Sequence, residues 1–474
     1  MARVLFLQNI WTENLGPMYL SSAVTKEGHE CKLIIESNRK ENREIIDFKP
    51  DIIAFSCATG THRWAQKRAS ELKSLCNVPI ILGGSHATYY PEVIESESID
   101  IICRGEGEKT FIDLLNHIDK NADYTSIPNL WMKINGRIIK NELRNLIEDL
   151  DSLPPPDRDL YYRYDYLKNN ENKSFISGRG CPYSCRYCSI AGLREMYKGK
   201  GCFVRFHSPE RVIEDIETVR KKYGVKTVIF QDDTFIIGEE RLFKLLSMYA
   251  QKLRLPFVCH VRADVLTTDI AKALKDAGCH SVDFGLESGD EGLRQRVLGK
   301  NVTDEHIIHA ASVLHSAGIR FRTTNMFGLP GETIQQAWKT VTLNQKISTD
   351  FPSASVYQPY PRTALGDQVI REGLVGKDYG VNSIGTSFFR SSILTQSDQR
   401  SFVNLQKFFW PAVRFPKLKR LIAFLIKLPP NPIYEAVFLF FYGINYALSE
   451  KISLKRVVNI GIHTARSLFF SKTG

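Results

Sequence analysis

The chain has 474 residues, is 43% hydrophobic and 24% charged, and carries a formal net charge of +11 at pH 7. This length and composition are typical of a globular protein with about three domains, each with its own core. Ten cysteines in a chain with no signal-peptide pattern at its start argue against a disulfide framework. We therefore expect a cytoplasmic protein.

The positive charge is concentrated near one end of the sequence. Residues 401–474 contain eleven Lys or Arg and two Asp or Glu, a net charge of +9, so the preceding residues are nearly neutral. This uneven distribution argues against a general nucleic-acid surface and predicts a local anionic partner. We expect no nucleic acid among the partners of the chain.

The first part of the chain alternates apolar, strand-like runs with segments of helical spacing. The strand-like runs are Val4–Leu7, Lys32–Ile35, Asp51–Phe55, Pro79–Leu82 and Ile99–Cys103, and the helical segments include Met18–Lys26, Trp64–Leu75 and Glu108–Ile118. This alternation predicts an α/β domain over residues 1–130, doubly wound and Rossmann-like, with ligands at the carboxyl ends of its strands. Residues 131–168, with a hairpin pattern and a proline-rich stretch at 153–158, are predicted to form a linker.

The alternation resumes after the linker. Strands are predicted at Ser174–Ser177, Thr227–Phe230, Phe257–Val261, Ser281–Leu286, Arg320–Phe327 and Ala354–Tyr357, and helices at Pro209–Tyr223, Glu239–Lys252, Thr268–Ala277, Asp304–Ala317 and Thr333–Ile347. Six strands joined by single helices predict a partial (β/α)6, TIM-like barrel over residues 169–365, with its chemistry where strands end. Residues 366–474 lose this rhythm and are predicted to be mainly helical.

Three cysteines lie within eight residues, immediately after the first barrel strand. Cys181, Cys185 and Cys188 form a C-x3-C-x2-C pattern on a polar, glycine-bounded loop. Three thiolates can hold three irons of a cubane cluster and leave the fourth iron open, as a catalytic cluster requires. The alternatives are a zinc site completed by Cys202 or His207, or three unrelated cysteines.

This pattern, with the aromatic Tyr187 just before the third cysteine, resembles the radical S-adenosylmethionine superfamily. The resemblance implies that Cys181, Cys185 and Cys188 bind a [4Fe–4S] cluster and that S-adenosylmethionine occupies the open iron. It also implies reductive cleavage to a 5′-deoxyadenosyl radical. An enzyme of this kind requires a low-potential electron donor such as flavodoxin or ferredoxin.

Three further segments follow predicted barrel strands and are similar to family segments that line the S-adenosylmethionine pocket. They are Phe230–Asp233, Gly285–Gly289 and Gly328–Glu332. The resemblance implies that Asp232 and Glu287 contact S-adenosylmethionine, with Glu287 holding its ribose hydroxyls. The alternative for Asp232 is the capping of the following helix, and the glycines of the third segment suit tight turns.

The first domain, taken together with the cysteine motif, resembles the cobalamin-binding class of radical S-adenosylmethionine proteins over residues 1–365. Its segments after strands are 15–17, 56–59, 82–88 and 105–108. The resemblance implies that Ser56 and Thr59 offer hydroxyls to the dimethylbenzimidazole tail and that Gly83 and Gly84 allow close backbone approach. The alternative is that the two glycines simply end a strand.

One departure concerns the ligand of cobalt. Many cobalamin domains place a histidine under cobalt in a D-x-H-x-x-G frame, whereas here the frame ending at Gly16 has Glu13 in the histidine position. No lower histidine ligand is therefore expected from this frame. His62 and His86 are nearby alternatives.

The two cofactors together imply carbon-centred radical chemistry. The leading hypothesis is C-methylation of an unactivated carbon. The alternatives are radical oxidative cyclisation or rearrangement, and a cobalamin-dependent sensor without catalysis. No catalytic side chain is assigned from the sequence.

The basic end of the chain also contains apolar runs. Residues 421–428 and 436–442 are strongly apolar, but the longest such segment is too short and too interrupted for a transmembrane helix. Flanking Lys and Arg suit contact with an anionic membrane surface over 401–474, which would favour a lipid-like small-molecule substrate. The alternative is a helical domain that packs on the barrel.

Overall fold

The structure is a computed structural model that describes residues 1–36, 41–385, 387, 389 and 392–452. The described residues form two compact units. The first contains Met1–Asn170 and Met196–Arg205, and the second contains Glu171–Glu195 and residues 206–452.

The first unit is built on a seven-stranded sheet of order β2-β1-β3-β4-β5-β6-β7. Its strands are β1 (Arg3–Gln8), β2 (Glu30–Ile35), β3 (Ile52–Ser56), β4 (Ile80–Gly83), β5 (Ile101–Cys103), β6 (Leu130–Ile134) and β7 (Arg137–Lys140). β1 to β5 are mutually parallel. Their apolar runs are buried because helices cover such sheets on both faces. The strand order reverses between β1 and β3, the point at which doubly wound sheets bind ligands.

The helices of the first unit lie between these strands and after them. They are α1 (Leu15–Lys26), α2 (Asn42–Phe48), α3 (His62–Lys73), α4 (Ser85–Tyr89), α5 (Glu108–Asp119), α6 (Asp159–Tyr162) and α7 (Asp165–Lys168). Asn14 caps α1 by accepting a hydrogen bond from the Gly16 N–H, which fixes the loop that follows β1.

The segment expected to be a linker belongs to this unit. The hairpin β6–β7 pairs antiparallel with β5 and extends the sheet beyond residue 130. Further along, Tyr161 is fully buried and donates a hydrogen bond to Gln8 at 2.8 Å, and Ser21 donates to Asp157 at 2.6 Å. Tyr161 and Asp157 thus connect this segment to β1 and α1 of the first unit. The predicted linker role of residues 131–168 stays a prediction.

The second unit is built on a six-stranded parallel sheet of order β15-β14-β13-β12-β11-β8. Its strands are β8 (Asn172–Phe175), β11 (Thr227–Phe230), β12 (Phe257–Val261), β13 (Cys279–Glu287), β14 (Arg320–Phe327) and β15 (Phe351–Val356), and two-residue strands lie at β9 (Gly178–Arg179) and β10 (Arg205–Phe206). This is the predicted partial (β/α)6 arrangement, and the predicted fold class is confirmed.

The helices that connect the strands of this sheet and pack on its outer face are α9 (Pro209–Tyr223), α10 (Glu239–Lys252), α11 (Thr268–Asp276), α12 (Asp304–Ser316) and α13 (Ile334–Lys346). In addition, α8 (Ser189–Met196) lies between β9 and β10, and α14 (Ala364–Arg371) follows β15. Ser208, Thr267, Thr303 and Thr333 cap α9, α11, α12 and α13 with their hydroxyl groups. The largest apolar cluster of the unit lies between these helices and the strands.

The predicted helical region after the barrel contains α15 (Gln399–Arg414), α16 (Lys419–Leu425) and α17 (Pro432–Ser449). α15 packs against β15 and α17, and Phe402, Leu405 and Phe409 are buried there. Residues 453–474 of the predicted region lie outside the described residues. Within the described part of the chain, no helix has the length and apolarity needed to cross a bilayer.

Candidate functional site

The three clustered cysteines lie on the loop between β9 and α8 in the second unit. All three have free thiols; Cys185 is buried and the other two are partly exposed. The backbone N–H of Cys188 donates to the Cys185 carbonyl at 3.1 Å, and the Cys181 thiol lies 3.8 Å from the Thr234 hydroxyl. The loop therefore presents its thiols beside the residues that follow β11.

Asp232, which follows β11, holds Ser177, the residue that precedes β9 and the cysteine loop. Its two carboxylate oxygens accept hydrogen bonds from the Ser177 N–H at 3.1 and 3.0 Å, and one also accepts from the Ser177 hydroxyl at 2.7 Å. Burial raises the pKa of Asp232, while Ser177 and Arg241 oppose this shift. Asp232 is thus a positioning residue in this structure; it does not cap α10, which begins at Glu239.

Arg262, after β12, contacts the cysteine loop and was not singled out from the sequence. Its guanidinium donates to the Cys185 sulfur at 3.6 Å, lies 3.8 Å from the centre of the Tyr183 ring, and pairs with Asp264 at 2.7 Å. Only the general position of Arg262 at a strand end could have indicated these contacts.

Glu287 ends β13 and faces the same loop. Its backbone has φ +68°, a left-handed conformation that is rare for a residue other than glycine. Its Oε1 accepts from the Tyr187 hydroxyl at 2.9 Å and pairs with Lys300 Nζ at 3.0 Å. The strained backbone and the two partners hold this carboxylate in one orientation. The predicted contact of Glu287 with ribose hydroxyls stays a prediction.

The segment after β14 forms a turn around a buried carboxylate. The backbone N–H groups of Gly328 and Leu329 donate to Glu332 Oε2 at 2.7 and 3.0 Å. Gly328 and Gly331 both have positive φ, which agrees with their predicted role as turn residues. Burial raises the pKa of Glu332 to about 8 despite these two hydrogen bonds.

The donor set of the loop fits an iron–sulfur cluster. It consists of three unoxidised thiols with a guanidinium beside one of them. Across the described residues, no three His, Cys, Asp or Glu side chains are grouped closely enough to hold a single metal ion. The zinc site completed by Cys202 or His207 stays an alternative.

The inner face of the same sheet carries a polar network that was not predicted. His260, Asp283 and Arg322 alternate along their strands with residues of the outer apolar cluster, so they point to the opposite face. Arg322 forms ion pairs with Asp283 and, at 3.3 Å, with Glu450, which follows α17. His260 Nε2 lies 3.6 Å from Asp283, and its side chain is 41% exposed. His260 is therefore the most exposed of these polar side chains.

In the first unit, Ser56 and Thr59 lie where the strand order reverses. Ser56 ends β3 and is half-buried. It lies near Gly16, in the first turn of α1. Thr59 lies in the next loop, where its hydroxyl is 3.1 Å from Nδ1 of His86. A hydroxyl at the carboxyl end of β3 fits a ligand bound at this edge of the sheet.

His86 and His62 form a buried stacked pair. Their ring centres are 3.9 Å apart with an interplanar angle of 13°, and both side chains are almost completely buried. His62 Nδ1 also accepts from the Gly60 N–H at 3.1 Å. Burial and the neighbouring His62 lower the pKa of His86 to about 3, so this ring is neutral at pH 7. These contacts favour a structural role for both residues.

The two predicted glycines differ in their surroundings. A Cβ atom on Gly84, whose φ is +88°, would lie 2.7 Å from the Cys57 carbonyl oxygen and 2.9 Å from the Cys57 nitrogen. A Cβ atom on Gly83 would meet no atom closer than 3.9 Å. Gly84 is therefore needed because the backbone at Cys57 approaches it closely, whereas a small side chain at Gly83 would make only ordinary contacts.

Glu13, in the position of the usual cobalt-binding histidine, has a partner within the protein. Its carboxylate lies 3.7 Å from the Arg158 guanidinium, with 6% and 3% of the two side chains exposed. Burial raises the pKa of Tyr162, and the Glu13 carboxylate contributes to this shift. The frame ending at Gly16 thus carries a buried ion pair in place of an imidazole.

Two family models match the chain, one in each part. The B12 binding domain matches residues 11–115, and the Radical SAM superfamily matches residues 175–343. The chain is 31% identical over 371 residues to an uncharacterised methyltransferase of Pyrococcus horikoshii, covering 76% of this chain and 79% of that protein. It is 26% identical to the anaerobic magnesium-protoporphyrin IX monomethyl ester cyclase of Rubrivivax gelatinosus, covering 70% of this chain and 61% of that protein.

Solved structures share the fold. The cobalamin-dependent S-adenosylmethionine radical enzyme OxsB, solved with aqua-cobalamin bound, matches with a TM-score of 0.70 at 16% identity, covering 99% of this chain and 80% of that one. The family and the enzyme class predicted from the sequence are confirmed. The chain belongs to the cobalamin-binding radical S-adenosylmethionine enzymes.

Proposed function

We propose that the chain methylates an unactivated carbon of a small-molecule substrate, as a cobalamin-dependent radical S-adenosylmethionine methyltransferase. The observation that carries this proposal is the loop of Cys181, Cys185 and Cys188, held beside the carboxyl ends of β11, β12 and β13 in a chain that also has a B12-binding domain. The Pyrococcus horikoshii relative, named a methyltransferase, supports the same reaction class.

The proposed cofactor contacts follow the positions of the side chains. The three cysteine thiolates would hold a [4Fe–4S] cluster, and Glu287 would contact the ribose of S-adenosylmethionine. Ser56, Thr59, Gly83 and Gly84 would lie around the cobalamin tail, with Gly84 shaping the loop. When bound, these groups supply a radical able to open a C–H bond and a methyl group to transfer.

The residues around the loop would keep this site in one geometry. Arg262 donates a hydrogen bond to the Cys185 sulfur, and Asp232 holds Ser177, which precedes β9 and the loop. Burial and the Glu287 carboxylate raise the pKa of Tyr187 well above its usual value, so Tyr187 stays protonated and donates to that carboxylate. Lys300 neutralises the charge of Glu287.

The substrate would bind on the inner face of the second sheet. Its polar groups would meet His260 and the ion-paired Asp283 and Arg322, which lie on that face of β12, β13 and β14. This arrangement suits a small molecule with a polar group, including a lipid-like molecule with a polar end.

The overall reaction fixes a product ratio. Each methyl group transferred replaces one substrate hydrogen and consumes two S-adenosylmethionine molecules and two electrons. The products are the methylated substrate, one 5′-deoxyadenosine, one methionine and one S-adenosylhomocysteine. A low-potential one-electron donor of the flavodoxin or ferredoxin type would supply the electrons.

Radical cyclisation without methyl transfer is the second candidate, favoured by the similarity to the Rubrivivax gelatinosus cyclase. This reaction consumes S-adenosylmethionine without forming S-adenosylhomocysteine in proportion to product. The two candidates therefore differ in a measurable ratio.

The first experiment compares the metabolites, including the lipid fraction, of the host with and without the gene. The precursor that accumulates without the gene is then incubated with reconstituted enzyme and methyl-deuterated S-adenosylmethionine. Methylation predicts a precursor that gains one labelled methyl group, with equal amounts of 5′-deoxyadenosine and S-adenosylhomocysteine. A product without label, formed with 5′-deoxyadenosine alone, would replace methylation by cyclisation or rearrangement.

A further inference from the structure

The helices after the barrel expose a continuous basic and apolar surface. All seven residues from Phe415 to Leu421 are exposed, as are Phe424 and Lys427 after them. Large apolar residues here and on α17 are exposed to solvent, with these exposed fractions: Phe415 48%, Leu421 53%, Phe424 62%, Ile433 71%, Leu439 57% and Phe440 63%. Apolar side chains this exposed and this close in sequence mark an interaction site.

Ring contacts join the two parts of this surface. Trp410 lies 6.1 Å from Phe415 and stacks on Phe441 at 4.5 Å, and Phe441 lies 5.2 Å from Phe440. Ile433, Leu439 and Phe440 recur at helical spacing on one side of α17. The segment before α16 and the exposed side of α17 are therefore parts of one surface.

The charge of this surface has a single sign. Residues 414–434 contain five Lys or Arg and no Asp or Glu. Within the described residues, no ion pair involves Lys417, Lys419, Arg420 or Lys427, and all four are exposed. The nearest acidic residue along the chain, Glu435, pairs with Lys407 at 2.8 Å. The cationic groups are thus available to an external anion.

We propose that this surface docks on an anionic lipid membrane, with its phenylalanine and leucine side chains in the headgroup region and its basic side chains on lipid phosphates. Aromatic and aliphatic side chains interleaved with Lys and Arg match an interface that is apolar within and anionic outside. Docking of this kind needs no helix that spans the bilayer, and none was found among the described residues. This inference is independent of the reaction that the enzyme catalyses.

The test is flotation of the full-length protein with vesicles of phosphatidylcholine alone or with phosphatidylglycerol. The protein floats with the anionic vesicles at low salt, and the floated fraction falls as salt rises. Lys417→Gln with Lys419→Gln and Arg420→Gln lowers the partition coefficient on the order of a hundredfold. Phe415→Ser with Phe424→Ser and Phe440→Ser also prevents flotation. Because Phe415 and Phe440 contact the rings of Trp410 and Phe441, circular dichroism is recorded for both variants to show that they are folded.

The matched control is Lys221→Gln with Lys252→Gln and Lys272→Gln, which removes three exposed lysines from α9, α10 and α11. This variant floats like the wild type. Failure of the wild type to float with anionic vesicles at low salt would overturn the proposal. So would equal flotation of the Lys417 triple variant and its control. Self-association in solution that the phenylalanine variant abolishes, without flotation of the wild type, would assign the surface to a second copy of the chain.

Discussion

The hydroxyl of Tyr187 donates a hydrogen bond to Oε1 of Glu287 at 2.9 Å. The aromatic residue before the third cysteine thereby connects the cysteine loop to the strained end of β13, where Lys300 holds the same oxygen. The aromatic ring at this position therefore has a polar function as well as a packing one.

Tyr187→Phe should destabilise the second unit by about 1.5–3 kcal/mol, because a hydrogen bond to a buried charged group is lost while the ring is kept. The melting temperature of the metal-free protein, measured by circular dichroism, should fall. Tyr183→Phe, on the same loop, is the control, since the ring of Tyr183 contacts Arg262 and that contact survives. Equal melting temperatures for wild type and Tyr187→Phe would show that the hydrogen bond has no energetic weight.

Glu332 predicts a pH dependence of stability. In the folded protein burial raises its pKa to about 8, whereas in the unfolded chain the carboxyl group ionises near its model value of 4.5. The unfolded state therefore loses its proton first as pH rises, and stability falls between about pH 4.5 and pH 8.

Glu332→Gln should flatten this slope in chemical denaturation measured from pH 5 to pH 8.5, because the side chain no longer titrates. Glu217→Gln changes an exposed carboxylate of α9 and should leave the slope as in the wild type. A slope that is the same in wild type and Glu332→Gln would mean that Glu332 is ionised throughout this range.

The neighbouring glycines of the first unit should respond differently to the same substitution. Gly84→Ala places a Cβ atom against the Cys57 backbone at a positive φ and should cost about 1–3 kcal/mol or more. Gly83→Ala should cost little, because its Cβ atom meets only ordinary contacts. Thermal unfolding of the two variants measures this difference. Gly83→Leu should then weaken binding of hydroxocobalamin, measured by equilibrium dialysis, if the ligand approaches Gly83.

The ion pair between Glu13 and Arg158 predicts the coordination of cobalt. With this carboxylate in the usual histidine position and His86 bonded to Thr59, no protein imidazole should coordinate bound cobalamin. The electron paramagnetic resonance spectrum of the Co(II) form should lack nitrogen hyperfine coupling. Coupling that disappears in His62→Gln or His86→Gln would identify a histidine ligand and refute this expectation.

The sequence predicted most strands and helices of the barrel, because the spacing of apolar residues and the capping residues of helices are local signals. The strands Thr227–Phe230, Phe257–Val261 and Arg320–Phe327 were placed with correct bounds, and so were α9 and α10. The helices of the barrel follow Ser, Thr or Gly residues at the N-cap position, and such residues can be recognised in the sequence. The continuation of the first sheet beyond residue 130 was not predicted, because the pairing of β6 with β5 joins residues far apart along the chain.

The candidate site was predictable in its cysteines but not in their supports. The spacing of Cys181, Cys185 and Cys188 is a short-range pattern. Arg262 and Lys300, in contrast, reach the site from loops far along the chain, and only the three-dimensional sheet brings them to Cys185 and Glu287. The predicted contact of Asp232 with S-adenosylmethionine stays a prediction, and the hydrogen bonds that its carboxylate accepts from Ser177 were not predicted.

The most direct test of the account is anaerobic reconstitution followed by reduction in the presence of S-adenosylmethionine. Wild type should bind about four irons per chain and release 5′-deoxyadenosine, and Cys181→Ala, Cys185→Ala and Cys188→Ala should each lose both properties. Cys202→Ala, at an exposed cysteine outside the motif, should retain them. Stoichiometric zinc without iron, or release of 5′-deoxyadenosine that survives loss of the three motif cysteines, would contradict the account.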